Sequence, residues 1–325
     1  MKTVLVAGGA GYIGSHTVKY LLKNNYKVVV VDNLVYGHKE AVLTENFEQI
    51  DLADKKALDS VFKKYKIDAV IHFAAYTYVG ESVSEPKKYY HNNVVNTLNL
   101  LDTMIENDVK NIVFSSTCAT YGNPQYTPID EKHLQSPINP YGKTKLMMEQ
   151  IMEDYDRAYG LKYVALRYFN AAGCDAEGQL GESHDPETHI IPLVLKAIKG
   201  EIPKLTVFGT DYETQDGTCI RDYIHVEDLA YAHMLAVEKL FNDKKSDCIN
   251  LGTGIGTSVK EIIDAAKQVT GLDVPVVYGE RREGDPAKLY AANEKAKSVL
   301  GWNPKYTEIG DIIKTAWLWE QNKKF

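Results

Sequence analysis

The 325 residues are 44% hydrophobic and 25% charged, the balance of an ordinary globular chain with core enough for one large domain or two modest ones. A net charge of −7 argues against a nucleic-acid footprint or a polybasic membrane surface, so an anionic ligand needs a local cationic pocket. Cys118, Cys174, Cys219 and Cys248 are scattered with no Cys-x-x-Cys pair, which suggests neither a zinc knuckle nor a disulfide framework.

The chain enters a buried-strand pattern directly after Met1-Lys2, leaving no room for a signal peptide, and no apolar run approaches the roughly 20 residues a bilayer requires. A cytoplasmic, reduced protein without nucleic-acid or membrane partners is the expectation. Thr3 to Ala7 is a short apolar run, followed by Gly8-Gly9-Ala10-Gly11-Tyr12-Ile13-Gly14 and an amphipathic segment through Leu22. Strand, glycine-rich turn and helix together form the context in which a glycine motif binds a dinucleotide. Gly8, Gly11 and Gly14 let the backbone approach a pyrophosphate at the helix N-terminus, with Tyr12 and Ile13 beside it. A second buried strand, Lys27 to Val31, ends at Asp32-Asn33, 18 residues past Gly14. That carboxylate grips a ribose diol and repels a 2′-phosphate, and no arginine follows at once, so NAD is favoured over NADP.

The alternation continues. Phe47 to Ile50 leads to Asp51-Leu52, a usual place for adenine contacts, and Ala69 to Phe73 leads to Ala74-Ala75, where small residues let the backbone pass beneath a cofactor. A long helix is predicted from about Pro86 to Asn107, with Asn92 and Asn93 near its start. Ile112 to Phe114 forms a further strand, followed by Ser115-Ser116-Thr117-Cys118. Repeated β-α-β units imply an α/β fold, a doubly wound parallel sheet with ligands at the carboxyl ends of its strands. Ser115, Thr117 and the glycine loop are expected to share that edge.

Asn139-Pro140-Tyr141-Gly142-Lys143-Thr144-Lys145 opens a predicted helix that runs to Ala158. Tyr141 and Lys145 are four apart and share one face of its first turn. A phenol titrates near pH 10; a nearby ammonium favours phenolate, and burial opposes it. Such a pair suits removal of a sugar hydroxyl proton, although Tyr and Lys four apart also recur on solvated helices.

Tyr163 to Arg167 is one more strand, ending in Tyr168-Phe169-Asn170, and Ala171 to Thr188 reads as a long irregular connection. The cofactor domain is therefore set at 1–170 and a smaller mixed α/β substrate domain at 171–325, with the Ile249 to Leu251 strand a candidate to return to the first. Helices are expected near 190–199, 227–240, 258–270 and 309–322. Arg221 and the loop Arg281-Arg282-Glu283-Gly284-Asp285 supply cations and a ribose acceptor suited to a diphosphate. His184, Asp185 and His189 fit no common metal spacing, so no metal is expected. His72 and His225, in strand-like runs, read as structural.

These motifs, with Val79-Gly80-Glu81-Ser82, Leu166-Arg167-Tyr168-Phe169-Asn170 and Arg221-Asp222-Tyr223-Ile224-His225-Val226, resemble the extended short-chain dehydrogenase/reductase superfamily along essentially the whole chain. Within it the chain looks like the NAD-dependent 4-epimerases that interconvert UDP-galactose and UDP-glucose. The resemblance implies Tyr141 as the base at the sugar 4-hydroxyl, Lys145 on the nicotinamide ribose, and Thr117 on the 4-oxygen. It implies Asn170, Arg221, Tyr223, Arg282 and Asp285 as UDP-gripping positions, with His189-Ile190 and Thr206-Val207-Phe208 lining uridine and phosphates. Asn92, Ser115, Phe73 and Phe169 match further cofactor contacts. Related dehydratases carry an Asp-Glu pair where this chain has Cys118-Ala119, which disfavours elimination. Leu289 falls where the family gates the sugar 2-substituent, and a residue smaller than Tyr implies room for UDP-N-acetylhexosamines. The family also implies a homodimer packing the 86–107 and 141–158 helices about a two-fold axis. An epimerase of another UDP-sugar, a pentose or uronate, and a non-catalytic NAD sensor are the rival readings.

Overall fold

Strands β1 (Thr3–Ala7), β2 (Lys27–Asp32), β3 (Phe47–Gln49), β4 (Ala69–His72), β5 (Asn111–Thr117) and β6 (Lys162–Tyr168) alternate with helices α1 (Tyr12–Lys23), α2 (Lys55–Lys64), α3 (Val79–Ser84), α4 (Pro86–Tyr90), α5 (Asn96–Glu106) and α6 (Pro140–Tyr159). The computed structural model describes residues 1–282 and 284–325; Glu283, in the arginine loop singled out from the sequence, lies outside the described residues. After β7 (Asn170–Ala172) come α7 (Ile190–Lys199), β8 (Leu205–Phe208), β9 (Ile220–Arg221), β10 (Tyr223–His225), α8 (Val226–Asp243) and β11 (Asp247–Leu251). The chain closes with β12 (Thr257–Ser258), α9 (Val259–Thr270), β13 (Val276–Gly279), β14 (Lys288–Leu289) and α10 (Ile309–Gln321).

The main sheet runs β3-β2-β1-β4-β5-β6-β11, and every pairing is parallel. Successive side chains of a strand face opposite ways, so both faces must be apolar. Val4 and Val6 of β1 pack with Val18 and Leu21 of α1 and Leu229 and Val237 of α8. Leu5 and Ala7 face the other layer, with Leu58 of α2, Leu100 of α5, and Met148 and Met152 of α6. The order reverses at β1/β4, which opens a crevice at the carboxyl ends of those strands. β11 pairs with β6, Ile249 opposite Leu166, so the second half of the chain completes the sheet of the first. A separate core of Val194, Leu195, Leu205, Ile262, Ile312 and Trp319 holds α7, α9, α10 and β8 together.

The helix expected as one piece over 86–107 is broken. α4 passes through a π-helical turn at His91–Val95 before α5 begins. Asn93, inside that turn, accepts from the Tyr76 amide (2.9 Å) and donates to the Tyr76 carbonyl (2.9 Å) and Thr144 Oγ1 (3.2 Å). The wider turn is where a helix side chain ties the loop after β4 to α6, a use π-bulges commonly serve. Hydropathy spacing does not register the one extra residue.

Helix α6 starts as the sequence predicts. The Asn139 side chain accepts from the Gly142 amide (2.8 Å), Pro140 sits in the first turn, and Gly160 ends the helix in the left-handed region at φ +71°. Two turns in, the buried Glu149 takes Arg167 of β6 in a bidentate pair (Nε–Oε1 3.0 Å, Nη2–Oε2 2.6 Å) and also the Ser116 hydroxyl (2.5 Å). Arg167 Nη1 further donates to Tyr121 (2.9 Å), whose hydroxyl donates to Asn250 on β11 (2.6 Å). Both charges are almost fully buried, so removing one leaves the other uncompensated. Arg167→Met is expected to cost about 3–5 kcal/mol in urea unfolding, whereas Lys2→Met at the exposed pair with Asp68 should cost no more than about 1 kcal/mol. Equal losses at the two positions would refute this view of the network.

Candidate active site

Three cavities run end to end along the carboxyl edge of the sheet. The first, about 110 Å³, is lined by Gly8, Gly11, Asp32, Asn33, Asp51, Leu52, Phe73, Ala74, Ala75 and Asn92. The second, about 470 Å³, shares Gly8, Gly11, Phe73 and Ala75 with it, and adds Tyr12, Ile13, Gly14, Ser115, Thr117, Tyr141, Phe169 and Leu289. The third, about 400 Å³, is lined by Ile190, Thr206, Val207, Phe208, Arg221, Tyr223 and Arg282, and shares Asn170, His189 and Asp285 with the second. Lys145 alone of the expected residues lines none of them; it is buried, bonded to the carbonyl of Ser115, which lines the middle cavity.

The glycine loop fits a dinucleotide. Gly8 adopts φ +83°, where L side chains are strained, and a Cβ there would press on the Phe73–Ala74 backbone. A Cβ on Gly14 would collide with the Gly8 carbonyl, so the first turn of α1 can approach β1 only as glycine. At Gly11 an added Cβ would meet only the Gly8 carbonyl, at 3.5 Å, on the side open to the cavity. Asp32, buried at the end of β2, accepts from the amides of Ala10 (3.0 Å) and Leu34 (2.8 Å). Burial raises its carboxyl above the usual range and those amides pull it back. Asn33 donates to Asp51 (2.8 Å), fixing the far wall of the first cavity.

In the middle cavity, Lys145 Nζ donates to the Ser115 carbonyl at 2.7 Å and stands 5.9 Å from the centre of the Tyr141 ring. Burial lowers Lys145 to about 7, only partly offset by Glu149 one turn on. Burial also raises the Tyr141 phenol, helped by Tyr168, while the Thr117 hydroxyl pulls the other way. Desolvation therefore dominates, and Tyr141 is held as a neutral phenol. Tyr12 is turned to the Gly173 carbonyl, and Ser115 to the Tyr168 hydroxyl.

At the third cavity, Arg221 pairs with Asp285 and donates to the Ile220 carbonyl (2.7 Å). The Arg282 guanidinium lies 4.1 Å from the Phe208 ring centre, the arrangement of a cation–π contact. Asn170 spends one amide hydrogen on the Asp222 carbonyl (3.0 Å). Arg281 points elsewhere, to Asp211 (2.7 Å). His72 and His225 are buried on Thr97 (2.8 Å) and Thr315 (3.0 Å), as their strand positions suggest. Sequence reasoning missed Glu182 and Glu187, which close on His184 and His189 at the junction of the second and third cavities. Burial opposes charge on both histidines, yet the two carboxylates raise them to about 9 and about 10. Nothing in their spacing announces that convergence.

Fold and site together define a Rossmann-type nicotinamide-dinucleotide protein. The chain belongs to the NAD dependent epimerase/dehydratase family, which it matches over residues 4–252. It is 52% identical over 318 residues to UDP-glucose 4-epimerase of Halalkalibacterium halodurans, covering 98% of this chain and 95% of that relative. It is 46% identical to UDP-arabinose 4-epimerase 1 of Arabidopsis thaliana, covering 98% of this chain and 79% of the relative. Among solved structures, UDP-glucose 4-epimerase from Brucella ovis in complex with NAD superposes with a TM-score of 0.96 at 53% identity, covering 98% of each chain.

Lys145 carries a pH signature. Its folded-state value of about 7 lies below the ordinary lysine value of about 10.4, so between these the unfolded chain binds the extra proton. The burial penalty is full below pH 7 and fades as pH rises towards 10.4. Relative to Lys145→Met, the ligand-free protein should gain unfolding free energy between pH 7 and 9; parallel pH profiles would show the ammonium is not desolvated.

Proposed function

We propose that this chain is an NAD-dependent UDP-hexose 4-epimerase that interconverts UDP-galactose and UDP-glucose through a 4-keto sugar. The observation that carries it is the middle cavity. Tyr141 and Thr117 face it together, the glycine loop bounds one end, and Asn170, His189 and Asp285 open the other onto the arginine-lined groove. Bound NAD supplies the hydride acceptor and donor at sugar C4. Gly8, Gly11, Tyr12, Ile13 and Gly14 hold its pyrophosphate, and Asp32 and Asn33 its adenosine ribose. Asp51 and Leu52 flank the adenine, and Phe73, Ala74, Ala75, Asn92, Ser115 and Phe169 line the rest.

Tyr141 takes the 4-hydroxyl proton and returns it to the 4-oxygen after the sugar has turned over. Thr117 hydrogen-bonds that oxygen, and Lys145 holds the nicotinamide ribose and favours the phenolate. Arg221, Arg282, Asn170, Tyr223 and Asp285 anchor UDP, with Ile190, His189, Thr206, Val207 and Phe208 around the uridine and phosphates. Anchoring the diphosphate firmly and the sugar loosely is what lets either face of C4 meet the same reacting groups.

This reading assigns residues 1–170 to NAD and 171–325 to the UDP-sugar, with Asp247–Leu251 returned to the first unit's sheet. It makes the protein cytoplasmic; among the described residues no helix is long and apolar enough to cross a membrane. It also makes the protein a homodimer, with exposed Val95, Met147 and Tyr159 supplying apolar area on the helices expected at the two-fold axis. Leu289 on the cavity wall leaves the sugar 2-substituent more space than a tyrosine would, which extends the reading to UDP-N-acetylglucosamine.

Tyr141→Phe should lower kcat for UDP-galactose by about 10²–10⁴-fold, the range of a lost general base, while NAD and UDP still bind. A variant with near-wild-type turnover would remove the phenol from the mechanism. Turnover of UDP-N-acetylglucosamine at saturating concentration is expected from the wild type, and its absence would sink the Leu289 argument.

A further inference from the structure

Four side chains, of which only His189 has a part in the account above, converge at the junction of the sugar cavity and the UDP groove. Glu182, His184, Glu187 and His189 place one donor atom each within 4.8 Å of the others. Both glutamate side chains are 4% exposed. Glu182 Oε1 lies 2.8 Å from His189 Nδ1 and 3.3 Å from His184 Nδ1. Glu187 lies 2.9 Å from His189 Nδ1 through Oε1 and 3.6 Å from His184 Nδ1 through Oε2.

Hydrogen bonding accounts for only part of this packing. An imidazole nitrogen carries at most one hydrogen, directed in the ring plane. That of His189 Nδ1 goes to Glu187 Oε1, which also receives the amides of Thr188 (2.7 Å) and His189 (2.8 Å). Glu182 Oε1 and His184 Nδ1, both buried, are left without a hydrogen-bond partner although they face each other and the centre of the group. Buried polar atoms in that condition cost free energy unless a ligand satisfies them. A cation at the centre satisfies all four at once.

We propose that Glu182, His184, Glu187 and His189 form a binding site for a divalent transition-metal ion of the zinc class. Zinc bonds to imidazole nitrogen and carboxylate oxygen of about 2.0–2.2 Å put neighbouring ligand atoms about 3.3–3.6 Å apart in a tetrahedron. The four histidine–glutamate separations are 2.8–3.6 Å and all four donors lie within 4.8 Å, so shifts of about an ångström reach that geometry. Two imidazoles favour zinc over magnesium or calcium, which take oxygen ligands. The two carboxylates neutralise the dication, so the ion adds no net charge beside the anionic substrate. Four protein ligands close the coordination shell, making this a clamp that fixes the 182–189 segment to the start of α7, not a reacting centre.

The test is zinc uptake by the purified, chelator-stripped full chain, read by metal analysis after gel filtration and by calorimetry. One equivalent per chain is expected, with a rise in melting temperature on loading. His184→Ala and Glu187→Gln should each weaken uptake by more than the roughly 10–100-fold typical of outer partners. No stoichiometric uptake by the wild type, or unchanged uptake by both variants, would overturn the proposal. Should the variants fail to fold, cobalt(II) in the wild type decides. Visible bands of a four-coordinate site without a thiolate charge-transfer band support it. A six-coordinate spectrum, or one with cysteine ligation from Cys118, Cys174, Cys219 or Cys248, defeats it.

Discussion

Helix α6 is fastened to the sheet by two buried cations, and the site depends on where that puts it. Lys145 reaches down to the Ser115 carbonyl of β5, and Arg167 reaches up from β6 to Glu149 one turn further on. Each charge is desolvated, so neither contact tolerates displacement: a shift of α6 would strand an ammonium or a carboxylate in the core. Tyr141 is thereby held over the edge of the sheet on which the glycine loop and Thr117 also lie. Gly142 makes the approach possible, since a Cβ there would press on the Ala119 backbone.

The same desolvation sets the resting electrostatics. Between neighbouring tyrosine and lysine, the ammonium favours phenolate and burial disfavours every charge. Burial prevails at both residues, lowering the lysine and raising the tyrosine. At the other end of the groove the balance differs, because Arg221 has Asp285 beside it and Arg282 rests on an aromatic face. An anchor for diphosphate charge is kept polarised where the ligand is held, and the reacting phenol is kept neutral where charge must develop and disappear.

Much of this was legible in the sequence, because it is local. A glycine motif between strand and helix, a carboxylate at the end of the second strand, and Tyr-x-x-x-Lys behind an Asn-Pro cap each declare themselves within a few residues. The α6, α7 and α10 spans agree with the hydropathy pattern to within a residue or two. What stayed hidden depends on distance or depth. The π-helical turn at His91–Val95 follows from Asn93 being claimed by Tyr76 and Thr144. The sequence anticipates the return of the Ile249 strand to the first sheet, but not its neighbour β6, some eighty positions away. Glu182 and Glu187 gained meaning only when the 182–189 segment folded onto His184 and His189. The sign of the Tyr141 shift depends on how deeply the phenol itself is buried, which spacing does not report.

The central claim is that the sugar C4 hydrogen leaves and returns without passing through water while Tyr141 handles the oxygen proton. Incubating the purified chain with UDP-galactose in D2O and examining the UDP-glucose formed by NMR tests this directly. The account predicts that UDP-glucose appears with no solvent deuterium at C4. Deuterium at C4, or no conversion even with NAD supplied, would contradict it.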